Sequence, residues 1–173
     1  MNPISYWQRL KVAFQYVMPQ IYMTQAAGWL AKQKWGAVTH FVIKAFAKKY
    51  NIDMSIAEKE KFSDYASFNE FFIRPLKENA RPINQNPTAL CCPADGRVSE
   101  CGHIDDDRLL QAKGHFFSLN DLLAEDKDLT ETFKNGEFVT TYLSPRDYHR
   151  VHMPCDGTLR KMIYVPGDLF SVN

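Results

Sequence analysis

The 173-residue sequence predicts an α+β protein, with N-terminal amphipathic helices followed by a mostly antiparallel β body. Three observations carry that expectation. Apolar residues recur at helical spacing within the first fifty positions. Beyond position 96 the texture changes to short strand-like runs bounded by glycines. The composition, 45% apolar and 24% charged, is that of a chain able to bury a core. It excludes a disordered chain, a collagen-like repeat and a disulfide-dense miniature scaffold. No run approaches the roughly 18 apolar residues of a spanning helix, and Ala26–Ala31 is among the longest. The N-terminus lacks a basic-then-apolar pattern, so no signal peptide is expected. Cys91, Cys92, Cys101 and Cys155 read as free thiols in a reducing compartment.

Residues 4–50 accommodate two or three helices. Leu10, Phe14, Val17 and Ile21 fall near helical spacing, Pro19 forces a kink or break, and Gly28 and Gly36 punctuate. His40–Tyr50 reads as a short helix with Phe41, Ala45 and Phe46 on one side and Lys44, Lys48 and Lys49 on the other. The net charge of +1 conceals a polarity: Met1–Tyr50 holds seven Lys/Arg and no acid, while the other 123 residues hold all 20 acids against 14 bases. Trp7, Trp29 and Trp35 also lie in this basic segment. Such a mixture suits the headgroup level of an anionic membrane, where each cation contributes about 1 kcal/mol. It also suits a helical layer packed on the rest of the fold, or nucleic acid, although no nucleic-acid-binding motif accompanies it.

Residues 51–66 are a polar connection. Ser67 followed by Glu70 has the form of a helix N-cap, with Phe68, Phe71, Phe72 and Ile73 as the apolar side and Pro75 limiting the length. Ala80–Pro87 is extended and turn-rich. Strands are expected over Arg97–Ile104, Phe138–Leu143 and Leu159–Val165, with Gly96, Gly102, Gly136, Gly157 and Gly167 at turns, and one helix near Leu119–Phe133. The chain divides into a helical, membrane-associating region over 1–66 and a partial catalytic α+β domain over 67–173.

Chemistry concentrates in two places. His149 and His152 sit three apart in a proline-bounded run with Arg146, Asp147 and Tyr148, a pattern that suits acid–base work in a fixed loop. Asp95, in Pro93-Ala94-Asp95-Gly96, either caps its own turn or orients a histidine. Cys91, Cys92, Cys101 and His103 lack the Cys-x-x-Cys spacing of a zinc site, so no metal is expected. Ser144 and Ser171 stand in no Gly-x-Ser-x-Gly elbow, and Cys155 reads as a buried thiol before a nucleophile.

Taken together, the strings resemble bacterial phosphatidylserine decarboxylases closely. They are Phe68-Asn69-Glu70-Phe71-Phe72-Ile73-Arg74-Pro75-Leu76, Pro93-Ala94-Asp95-Gly96 and Ala112-Lys113-Gly114-His115. Tyr142 to Pro154 and Tyr164 to Asn173 complete the set, in family order. The resemblance covers nearly the whole chain. It implies an Asp–His–Ser triad that cuts its own chain and leaves a pyruvoyl group on a new α chain. That group forms a Schiff base with the serine headgroup and takes up the electrons released as CO2 departs. Asp95 resembles the triad carboxylate, His152 the triad base, and His149 the histidine that assists decarboxylation.

The resemblance further implies phosphatidylserine and an anionic membrane surface as partners. It also implies an α chain carrying the pyruvoyl group, a homodimer of αβ units, and a peripheral position on the cytoplasmic face of the bacterial inner membrane. One departure is large: the family's Gly-Ser-Thr does not occur in these residues. The expectation is therefore a β-chain portion, truncated before the cleavage site and inactive alone, with a non-catalytic membrane-surface-binding remnant as the alternative.

Overall fold

The computed structural model describes Phe14 and residues 18–106, 108–111 and 115–165. The expected positions of Trp7, Leu10 and Val17, and the strings at 112–114 and 166–173, lie outside the described residues. Pro19 immediately precedes helix α1 (Gln20–Ala31), as a residue with fixed φ and no donor should. Gly28 does not break this helix. α1 buries none of its residues and exposes Ile21, Tyr22, Met23, Trp29 and Leu30. Trp29 meets Trp35 edge to face at 6.4 Å.

Gly36 turns the chain with φ +55 into α2 (Ala37–Tyr50). Asn51 closes α2 in the left-handed conformation, and Ile52 N–H donates back to the Ala47 carbonyl at 2.9 Å. The buried stripe of α2 is Thr39, Ile43 and Ala47, joined by the partly buried Phe46. The expected Phe41 side is wrong: Phe41 lies two residues from both Thr39 and Ile43, so a 3.6-residue turn places it opposite them, 73% exposed. Lys44, Lys48 and Lys49 are exposed as expected.

A 3-10 turn (Phe62–Asp64) leads to α3 (Phe68–Phe72). Ser67 Oγ accepts the Glu70 N–H at 3.1 Å while Glu70 Oε2 accepts from Ala66 N–H at 3.0 Å, a capping box shifted by one residue. Ile43, Ala47, Tyr65 and Phe71 form the larger buried cluster, tying α2 to α3. Tyr65 satisfies its hydroxyl by donating to the Lys59 carbonyl at 2.6 Å, and burial raises its pKa above the usual phenol value.

The β body is antiparallel. β1 (Arg97–His103) pairs with β4 (Glu137–Tyr142), Arg97 opposite Tyr142 and His103 opposite Glu137. Gly102 lies inside β1 opposite Phe138 rather than at a turn. β2 (Arg108–Gln111) and β3 (His115–Ser118) form a second pair that the sequence pattern does not announce. The expected helix over 119–133 is two helices, α4 (Leu119–Leu122) and α5 (Lys127–Phe133). Ala124 and Glu125 both take φ +59 between them, and the Asp126 side chain caps α5. Ile104 and Leu119 form a smaller cluster with Leu123 and Phe138.

Leu159–Val165 is not a strand. It runs without assigned secondary structure, with Leu159, Met162 and Tyr164 largely exposed. Its apolar run Met162–Val165 suits a sheet, but a strand exists only where a neighbour completes its hydrogen bonds.

Candidate functional site

The β1–β4 register builds the site. Because Arg97 opposes Tyr142, the turn that enters β1 (Pro93–Gly96) lies beside the loop that leaves β4 (Leu143–Pro154). Gly96 is required at this junction, since a Cβ there would fall inside contact distance of the Tyr142 carbonyl oxygen. Two backbone hydrogen bonds extend the contact, from His152 N–H to the Pro93 carbonyl (2.8 Å) and from Cys91 N–H to the Pro154 carbonyl (2.9 Å). The segments carrying Asp95 and His152 are thus laid side by side, although 57 positions apart in sequence.

The histidine loop is internally braced. Asp147 Oδ2 accepts from the N–H and Oγ of Ser144 at 2.6 and 2.7 Å, while Asp147 N–H returns to the Ser144 carbonyl at 2.9 Å. The loop is also clamped to the end of α3. Arg150 Nε donates to the Ile73 carbonyl (2.7 Å), Arg74 Nη2 donates to the Arg146 carbonyl (3.2 Å), and the His149 ring stacks on Phe72 at 4.1 Å.

His149 is half-buried, with Nε2 at 3.0 Å from the Ser144 carbonyl oxygen. A carbonyl only accepts, so Nε2 carries the hydrogen and the lone pair of the neutral ring is on Nδ1, a tautomer assigned from this partner. His152 is exposed, its Nε2 3.0 Å from the Tyr148 hydroxyl and its ring stacked on Tyr148.

Asp95 does not pair with either histidine among the described residues. Arg81 Nε donates to Asp95 Oδ1 (2.9 Å) and Oδ2 (2.8 Å), and Nη2 also donates to Oδ2. This bidentate pairing holds the Arg81 guanidinium above its ordinary pKa. The sequence reading missed Arg81 because nothing local joins loop residues 14 apart. It missed Phe72 as a shelf for His149 for the same reason, whereas the Asp147 brace on Ser144 spans three residues and is a turn motif that the Ser-x-x-Asp spacing could have announced.

Asp95, Arg81, Arg74, Arg146, Asp147 and Tyr148 share a cavity of about 340 Å³. The four cysteines are free, with Cys91 half-buried and Cys92, Cys101 and Cys155 exposed, so Cys155 is not the buried thiol expected. Among the described residues no three His, Cys, Asp or Glu side chains gather as a metal-binding group. No helix among them is long and apolar enough to cross a membrane.

The family model described as phosphatidylserine decarboxylase matches residues 68–173, more than half of the chain, and a model described as PSD matches residues 10–51. A phosphatidylserine decarboxylase proenzyme of Haemophilus influenzae (strain ATCC 51907 / DSM 11121 / KW20 / Rd) is 90% identical over 173 residues, which is 100% of this chain and 60% of the relative. Proenzymes so named from Pasteurella multocida (strain Pm70) and Actinobacillus pleuropneumoniae serotype 3 (strain JL03) are 79% and 72% identical. Each alignment covers 98% of this chain and 58% or 57% of the relative. The chain therefore spans about 60% of the length of the curated relatives it matches.

Proposed function

The chain belongs to the phosphatidylserine decarboxylase family, and on that premise we propose that it is the N-terminal, β-chain portion of a self-cleaving carboxy-lyase that converts phosphatidylserine to phosphatidylethanolamine and CO2. The observation that carries this reading is the alignment of the Asp95 turn with the His149–His152 loop by the β1–β4 register and the His152–Pro93 hydrogen bond.

In this reading His152 is the base of the self-cleavage step, its exposed imidazole being open to a serine brought by another segment. Asp95 orients it, which requires the carboxylate to leave or share Arg81. His149 acts at Nδ1. With Nε2 committed to the Ser144 carbonyl, only Nδ1 of the imidazolium has a proton to deliver, and stacking on Phe72 fixes its direction. The pyruvoyl group supplies an electron sink for the pair left behind as CO2 departs. Two imidazoles, a phenol and a serine hydroxyl suit proton handling beside such a carbonyl. The 173 residues hold no Gly-Ser-Thr, so by themselves they release no CO2 from phosphatidylserine.

The exposed apolar side chains of α1 and the cations of α2 support a place on an anionic lipid surface at the cytoplasmic face of the inner membrane. The same feature is what favours the second reading, a non-catalytic remnant that binds lipid surfaces only. Substitution in the full-length proenzyme separates them. His152→Ala or Asp95→Asn is expected to block self-cleavage, while His149→Ala leaves cleavage intact and abolishes CO2 release. Normal processing and turnover in all three variants would overturn these roles.

A further inference from the structure

Arg74 sits at the C-terminal end of α3, 2% exposed, with its guanidinium over the Phe71 ring at 5.4 Å. Only Nη2 is bonded, to the Arg146 carbonyl, and Nε and Nη1 are buried without a partner among the described residues. Burial pushes its pKa down, since desolvation disfavours the charged form. Guanidinium nonetheless stays protonated in proteins, so the charge remains and its donors need acceptors. Arg74 lines the same 340 Å³ cavity as Asp53, Asp95 and Asp147, and those carboxylates are already engaged, Asp53 by the N–H and Oγ of Ser55. Asp95 is held by Arg81, and Asp147 by Ser144 with Arg146 Nε 3.7 Å away. Among the described residues Arg74 is the arginine of this cavity that makes no ion pair.

We propose that Arg74 is the anchor of an oxyanion site that receives the phosphate oxygens of a phosphodiester headgroup. Nη2 spends one of its two hydrogens on Arg146, so the other still forms a two-pronged donor with a neighbouring nitrogen, the geometry that matches phosphate. A cavity of this size accommodates a headgroup rather than a whole lipid. The free donors are closed off from solvent, so the ligand enters by shifting the Arg146 loop. The inference rests on the phospholipid reading above for the choice of ligand, but its test does not depend on turnover.

The test is a titration of the 173-residue protein, following arginine Nε–Hε resonances by NMR, with the Arg74 signal assigned by its loss in Arg74→Lys. The probes are glycerophosphoserine, glycerophosphocholine, inorganic phosphate and free serine. A saturable Arg74 shift with both glycerophosphodiesters supports a headgroup site, and a shift with inorganic phosphate alone supports the same oxyanion site filled from free phosphate. No shift with any phosphate probe, or a shift with serine as large as with glycerophosphoserine, overturns the proposal. Arg74→Lys should weaken glycerophosphoserine binding at least about tenfold. If that variant fails to fold, Arg→Lys changes made one at a time at the other seven arginines identify the Arg74 signal as the one that none of them removes. Because CO2 release is not read, a silent Arg74 leaves the decarboxylase reading standing, and a responsive Arg74 does not rescue it.

Discussion

Replacing Phe71 by Ala should remove most of what binds α2 to α3. Phe71 is fully buried, with ring centroids of Phe46, Phe62, Tyr65 and Phe68 all within 6.4 Å and the Arg74 guanidinium at 5.4 Å. A buried Phe→Ala change costs about 3–5 kcal/mol from lost transfer energy plus the cavity left behind. Four aromatic neighbours, each edge-to-face or tilted, place this site near the upper end, at about 4–5 kcal/mol. With a urea slope of about 2 kcal/mol/M, the unfolding midpoint should fall by about 2 M at unchanged slope. Phe72→Ala is the internal comparison. Phe72 is half-buried and stacks on His149, so about half the cost is expected from the area lost. The assay is urea unfolding followed by far-UV circular dichroism. A midpoint shift below about 0.5 M for Phe71→Ala, near 1 kcal/mol, would refute the assignment of Phe71 as the centre of this core.

Three further perturbations follow from the local structure. Ser67→Ala removes the acceptor for the Glu70 N–H and should cost about 1 kcal/mol in the same unfolding assay, whereas Ser67→Asp keeps the cap and should cost little. Gly96→Ala drives a Cβ into the Tyr142 carbonyl. It should part the first rung of the β1–β4 ladder, seen as faster amide exchange at Arg97 and Tyr142, and unchanged exchange there would show that the junction has room.

The Lys59–Glu70 pair sets a pH window. The Lys59 hydrogen bond and the Ala66 N–H hold the Glu70 pKa below its usual value, and Glu70 raises that of Lys59. A lowered carboxylate pKa gives stability that is present above the unfolded value, about 4.3, and is lost as pH falls through the folded value. The midpoint difference between wild type and Glu70→Gln should therefore be flat from about pH 6 to 9 and vanish near about pH 2. A difference that persists in acid would contradict the assignment.

Local signals carried the parts of the fold that are local. The Ser67 cap, the break at Pro19, and strands β1 and β4 are all written in spacing and in glycine or proline placement. What escaped depends on pairing across distance. The face of α2 that is buried is the one meeting Tyr65 and Phe71, which takes Ile43 and leaves Val38, Phe41 and Val42 exposed. The break at Ala124–Glu125 uses two non-glycine residues in the left-handed region, which no composition rule flags. Leu159–Val165 has the apolar and β-branched residues of a strand but no strand partner among the described residues. Of the site, the chemistry of Asp95, His149 and His152 was legible as residue types. The Arg81 clamp on Asp95 and the burial of Arg74 belong to the tertiary arrangement alone.

Intact-mass analysis of the native gene product, purified from membranes of its source, tests the central proposal most directly. Two chains are expected: a β chain that contains these 173 residues and a smaller α chain whose N-terminus is blocked as a pyruvoyl group. A single uncleaved species with a free serine would contradict self-processing, and with it the roles assigned here to Asp95 and His152.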